Sequence, residues 1–253
     1  MAKNRDEHGD EPRAPATRAE TPAASAKSAH AEIDAFLARA RALGPRLDGK
    51  RGRLVFALDA TMSREPTWDM ACSLQGEMFE EAAAVGGLDV QLVYYRGLHE
   101  CQGSKWVSDP KRLGDLMVRI HCEGGNTQIG RVLEHVRKET KSAKVNALVF
   151  VGDAMEEGID KLCAIAGELG LLGVPAFMFQ EGHDPVAERA FKEIARLTNG
   201  AWCRFDAGAA AQLRELLRAA AAYAAGGRLA LADLSKRKGG EGAVRLLGQM
   251  KSR

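Results

Sequence analysis

Five oxygen-bearing side chains stand where apolar or glycine-rich segments end. Asp59, Thr61 and Ser63 follow the run Leu54-Val55-Phe56-Ala57-Leu58, Thr127 follows Gly124-Gly125, and Asp153 follows Val149-Phe150-Val151. Two are carboxylates and three are hydroxyls, with no thiolate or imidazole among them. Such a donor set suits a hard cation, Mg²⁺ or Mn²⁺, which takes oxygen ligands, keeps several waters and leaves a position for an incoming group. Each residue also has a plainer reading. Asp59 and Ser63 can cap the helix that follows, and Thr127 can be the N-cap of a helix beginning at Gln128. The joint occurrence in one chain is what favours a site.

The elements that must position these groups follow from the hydrophobic pattern. Residues 54–58 read as a strand buried on both faces, as at the centre of a parallel sheet. Its carboxyl end is where open α/β sheets place their ligands. Pro66 opens a helix running to about Val85, stopped by Gly86-Gly87. Leu88 to Tyr95 is a second strand, and Gly97 to Trp106 a return strand at the sheet edge. Ser108-Asp109-Pro110 starts a helix that breaks at Glu123-Gly124-Gly125-Asn126-Thr127, and another follows through Ile129, Val132, Leu133 and Val136. Val145 to Val151 is a third core strand. A helix from Glu156 to Leu171, a strand Val174 to Phe179, a helix opened by Asp184-Pro185, a strand Ala201 to Phe205 and a helix Ala209 to Ala225 complete the body. Strands alternating with helices in this way predict a doubly wound, mostly parallel α/β sheet with helices on both faces and one antiparallel edge strand. Asp59 and Asp153 then lie on one rim.

The pattern D-x-[ST]-x-S, a Thr in a G-G-x-T loop and an Asp after the next core strand resembles a von Willebrand factor A domain with its metal-ion-dependent adhesion site. The resemblance spans residues 53–225. It implies that Ser63 and Thr61 coordinate the ion through their hydroxyls, that Thr127 joins directly or through water, and that Asp59 and Asp153 act through water or as nearby charge. It also implies a partner protein whose Asp or Glu completes the shell, and, in bacterial-type members, an adaptor role beside a ring-forming AAA+ ATPase. Two departures stand out. Thr61 replaces the usual Ser and adds a methyl group, and Gly152-Asp153-Ala154 replaces the commoner Thr-Asp-Gly. Neither removes an oxygen ligand.

Composition narrows the alternatives. In 253 residues with 45% hydrophobic content and a net charge of +2, there is core for one large domain and no general attraction to nucleic acid or membrane. Residues 1–30 balance five basic against five acidic side chains, carry no aliphatic larger than Ala after Met1, and read as a disordered tail. Residues 31–52 read as a flanking amphipathic helix (Ala31 to Leu43) and linker, and residues 226–253 as a basic C-terminal tail whose Leu229, Leu231, Leu234, Val244, Leu246, Leu247 and Met250 leave a docking helix and partial disorder both open. The five cysteines are widely spaced, giving neither a disulfide framework nor a zinc site. Free thiols and the lack of a signal-peptide or membrane-length apolar run lead us to expect a cytoplasmic protein.

Two rival functions were weighed. A phosphatase of the haloacid dehalogenase type also opens with an apolar strand and an aspartate, but needs a second Asp where Thr61 stands. A scaffold with a non-functional metal site would keep the fold alone. Nucleotide binding lacks its glycine motifs. The expectation is a non-enzymatic recognition module. Trp68, Trp106 and Trp202 read as core or edge residues rather than recognition anchors, with Trp68, five residues after Ser63, the one nearest a partner surface if any is.

Overall fold

Along the central run, side chains alternate between two cores. Leu54, Phe56 and Leu58 enter one, and Val55 and Ala57 the other, all at 2% exposure or less. This is the period-2 geometry of a strand covered on both faces. The computed structural model describes residues 51–83, 85–206 and 209–250; the tail 1–30 and the helix expected over 31–43 lie outside them. The strands are β1 (Gly52–Asp59), β2 (Leu88–Arg96), β3 (Glu100–Gly103), β4 (Ala147–Gly152), β5 (Ala176–Glu181) and β6 (Ala201–Phe205). They form one sheet in the order β3-β2-β1-β4-β5-β6. Every pairing is parallel except β2 with β3.

The helices are α1 (Glu65–Ala83), α2 (Pro110–Met117), α3 (Ile129–Ser142), α4 (Ile159–Leu171), α5 (Pro185–Thr198), α6 (Ala210–Leu234) and α7 (Glu241–Leu247). One core takes its helical side chains from α1, α2, α6 and α7, the other from α3, α4 and α5. Asp109 and Asp184 cap α2 and α5 by accepting from Lys111 N and Ala187 N, each with proline at the next position. The expected α/β sheet with one antiparallel edge is therefore the observed one.

Three differences are informative. The return strand is confined to residues 100–103, because beyond it the chain turns and Val107 bridges back to Val90. The helix expected from Glu156 begins at Ile159, because Glu156 and Glu157 are drawn to the segment around Thr127. Residues after Ala225 continue as helix, bend at Gly227 (φ 70°) and return as α7.

That last stretch packs as part of the domain. Leu231, Leu234, Ala243, Leu246 and Met250 join the first core. Glu81 of α1 accepts from both Arg218 and Arg237, tying α6 and the turn after it to the body. At the β6 edge, Gln249 Oε1 accepts from Trp202 N (2.9 Å), its Nε2 donates to Trp202 O (2.7 Å), and Arg245 donates to Arg204 O. Side chains there occupy ladder positions that a further strand would take.

Candidate functional site

Parallel register brings the ends of β1, β2 and β4 to one rim. Asp59 pairs with Tyr95, and Leu58 with Val151. Beyond Asp59 the chain makes a single 3₁₀ turn, Met62–Arg64. Asp59 Oδ1 accepts from Thr61 N (2.8 Å), which orients the turn. Thr61 Oγ1 and Ser63 Oγ are 3.3 Å apart, and Ser63 Oγ donates to Asp153 Oδ2, also at 3.3 Å. Thr61 precedes the turn in extended conformation and makes no side-chain cap. Its hydroxyl is turned to Ser63 instead. A continuous run of oxygens thus links the first loop to the residue after β4.

Thr127 is held differently. Its amide donates to Glu156 Oε2 and its hydroxyl accepts from Glu156 N, both at 3.0 Å. The amides of Ile129 and Gly130, which an N-cap would serve, donate to Glu157. Gln128 occupies the N-cap position without a capping bond. Thr127 is therefore not the cap of α3; the carboxylate of Glu157 fills that role from another loop. The structure joins Asp59, Thr61, Ser63 and Asp153 in one bonded run, and attaches Thr127 to the same β4–α4 loop that carries Asp153.

The walls of the rim are stitched by backbone bonds. Ala60 N donates to Tyr95 O (2.9 Å), Glu123 N to Ala60 O (3.0 Å) and Asn126 N to Gly97 O (3.2 Å). Gly125 is needed for that approach, since a Cβ there would lie 2.0 Å from Gly97 O. Gly152 backs Asp59, a Cβ on it lying 3.8 Å from Asp59 Cβ and 2.7 Å from the Phe150 ring.

Electrostatics favour a cation at this point. Burial pushes the Asp59 carboxyl above its ordinary pKa; bonds from Thr61 and the nearby Tyr95 hydroxyl oppose the rise, and the charge of Asp153 adds to it. Tyr95 is fully buried, and its hydroxyl faces Asp59 without reaching ordinary hydrogen-bond geometry. Burial, and then the Asp59 charge, hold that phenol well above its usual pKa. A buried carboxylate beside a second one is a pair that a divalent ion relieves. Among the described residues no three His, Cys, Asp or Glu side chains are grouped to hold a metal. A centre here therefore depends on hydroxyls, and the oxygens present fit Mg²⁺ or Mn²⁺.

Several contributors were not visible as such in the sequence. Arg64, 2% exposed, donates to Glu181 at the end of β5, and Thr67 donates to the same carboxylate oxygen. Arg64 Nη1 is also 3.9 Å from Asp153 Oδ2. Trp68 is 3% exposed and donates to Met117 O, so it is a core residue and not a contact for a partner. Met62, between Thr61 and Ser63, is 59% exposed. The cysteines are free thiols, and burial pushes Cys72, Cys101 and Cys122 up to about 11, which leaves them protonated at neutral pH.

No protein-family model matches the sequence, and no curated protein is similar to it. Solved structures are similar in fold. An aerotolerance-related membrane protein from Bacteroides fragilis has a TM-score of 0.53 and 17% identity, over 67% of this chain and 98% of that one. The VWA domain of SpRpn10 has a TM-score of 0.51 and 12% identity, over 63% of this chain and 90% of that one. The fold is that of a von Willebrand factor A domain. Proximal thread matrix protein 1 of the mussel byssus, in a form with a zinc-occupied MIDAS motif, is similar to this chain at TM-score 0.55 and 14% identity, over 68% of this chain and 46% of that one. At these identities the likeness is one of fold. No described helix of the VWA domain is long and apolar enough to cross a membrane.

Proposed function

We propose that this chain is a metal-dependent recognition module, without a reaction of its own, that binds an Asp or Glu side chain of a partner protein through Mg²⁺ or Mn²⁺. The observation that carries the reading is the bonded run Thr61–Ser63–Asp153 beside the buried carboxylate of Asp59. Thr61 and Ser63 would hold the ion through hydroxyls, Asp59 and Asp153 would balance its charge, and Thr127 would join from the neighbouring loop. When bound, the ion supplies a strong, directional bond to a carboxylate. The chain's own residues fix where that bond points, because Asp59 locks Thr61 and the turn locks Ser63. Met62 then offers the partner an apolar contact beside the ion. The zinc-occupied MIDAS of the mussel protein supports a divalent ion on this fold. Family resemblance supports an adaptor place in an assembly driven by an AAA+ ATPase.

The test is calorimetric titration of Mn²⁺ into the wild-type chain and Asp59→Ala. Binding by the first and none by the second is expected; equal heats from both would remove the site. Capture of partners with and without EDTA then asks whether the ion bridges, and different sets of bound proteins are expected. Phosphate-ester hydrolysis that needs Mg²⁺ and disappears in Asp59→Asn would instead establish an enzyme.

A further inference from the structure

The Asp153 oxygen that accepts from Ser63 has a second, positively charged neighbour. Arg64 Nη1 stands 3.9 Å from Asp153 Oδ2, while its ion-pair partner is Glu181. Glu181 does not serve Arg64 alone, since Thr67 donates to the same Oε2. Arg64 Nε is buried with no partner at all. The guanidinium is therefore incompletely satisfied where it lies, between one carboxylate that is buried and one whose side chain is 30% exposed. Arg64 and Glu181 are packed in the interior, whereas the Asp153 side chain is partly open at the rim.

We propose that Arg64 and Glu181 are positioning residues that set how tightly the rim holds a divalent ion, with the Arg64 guanidinium acting as a resident cation that the metal must displace from Asp153. This rests on the rim being a metal centre. A fixed positive charge next to Asp153 repels the incoming ion and occupies one of its carboxylates, and Glu181 offsets part of that repulsion. Arginine stays charged at every relevant pH, so the effect does not titrate away. The two residues must therefore act with opposite signs.

The opposite signs are what a merely structural role would not produce, because loss of packing weakens binding whichever residue is changed. The experiment is calorimetric titration of Mn²⁺ into wild type, Arg64→Gln, Glu181→Gln and the double variant, with folding checked by circular dichroism. Arg64→Gln is expected to bind about tenfold more tightly, Glu181→Gln about tenfold more weakly, and the double variant within about threefold of wild type. Repulsion scales with the charge of the ion, so the logarithmic gain of Arg64→Gln should be about 1.5 times larger for Tb³⁺ than for Mn²⁺. Breaking a buried pair from one side is destabilising. Should the single variants not fold, the double variant is compared with Arg64→Lys/Glu181→Gln, which keeps the positive charge without its offset: Mn²⁺ binding about tenfold weaker in the second supports the proposal, and equal binding overturns it. Equal or weaker Mn²⁺ binding by folded Arg64→Gln overturns the proposal and leaves the metal centre standing. Absence of Mn²⁺ binding by the wild type overturns both.

Discussion

The loop after β1 and the loop before α3 supply the same kind of group and hold it in opposite ways. In the first, backbone and carboxylate fix the turn, and the hydroxyls of Thr61 and Ser63 are left to each other and to Asp153. In the second, Thr127 is bonded through both its amide and its hydroxyl to Glu156. Glu157 is braced against the helix start beside it, its carboxyl raised above the ordinary value by burial even though the Gly130, Ile129 and Thr127 bonds pull the other way. The hydroxyls of the first loop are bonded only to each other and to a side-chain carboxylate, while that of the second is taken up by a backbone amide. An oxygen ligand therefore has to be judged by what already engages it, as well as by its type and position.

The largest expected effect separates the two loops directly. Ser63→Ala should weaken Mn²⁺ binding by at least about a hundredfold, or about 2.7 kcal/mol, whereas Thr127→Ala should change it by less than about tenfold in the absence of a partner. Calorimetry on the two variants checks this, and equal losses would mean that Thr127 already faces the ion. Next in size is Gly125→Ala. Its Cβ would lie 2.0 Å from Gly97 O, so the second loop must shift, at a cost of about 1–3 kcal/mol in urea unfolding. Metal binding by the first loop should survive that shift.

Glu156→Ala removes the acceptor for the Thr127 amide and should lower stability by about 1 kcal/mol. If that carboxylate is what restrains Thr127, the same variant should bind Mn²⁺ more tightly than wild type; unchanged affinity would show that the Glu156 amide on the Thr127 hydroxyl, with Glu157, restrains the loop without it. The smallest effect concerns α3 itself. Burial lowers the pKa of His135, which shares a hydrogen bond of 2.9 Å with Gln91. A histidine held neutral by the fold contributes stability that is full above its ordinary pKa of 6.5 and is lost as pH falls from there through the folded value. Thermal melts below pH 6.5 should show this decline in wild type and a shallower one in His135→Gln.

Much of this was legible from residue types. Five apolar residues before Asp59 specify a doubly covered strand, and the Asp-Pro pairs at 109–110 and 184–185 specify helix starts, because each signal is local and physical. The rim followed from strand direction alone. What escaped was pairing between distant segments. Nothing near Arg64 announces Glu181, and Glu156-Glu157 look like the first turn of a helix until Thr127 and the start of α3 are set beside them. Trp68 is the core residue that its type favours, and its closeness in sequence to Ser63 says nothing of which side of α1 it occupies. The stretch after Ala225 reads equally as a docking helix or a charged tail, because seven basic residues are interleaved with apolar ones, and only packing against the first core decides for helix.

The Gln249 amide on Trp202 has a consequence for the β6 edge of the sheet. Unpaired sheet margins invite neighbouring molecules to add strand upon strand and grow into fibres. Here one margin is shielded by a single glutamine acting as a one-residue stand-in for a neighbouring strand, with Arg245 beside it. The last described turn of the chain thus does two jobs at once, filling the first core with Met250 and covering backbone groups of β6 that another molecule would otherwise pair with.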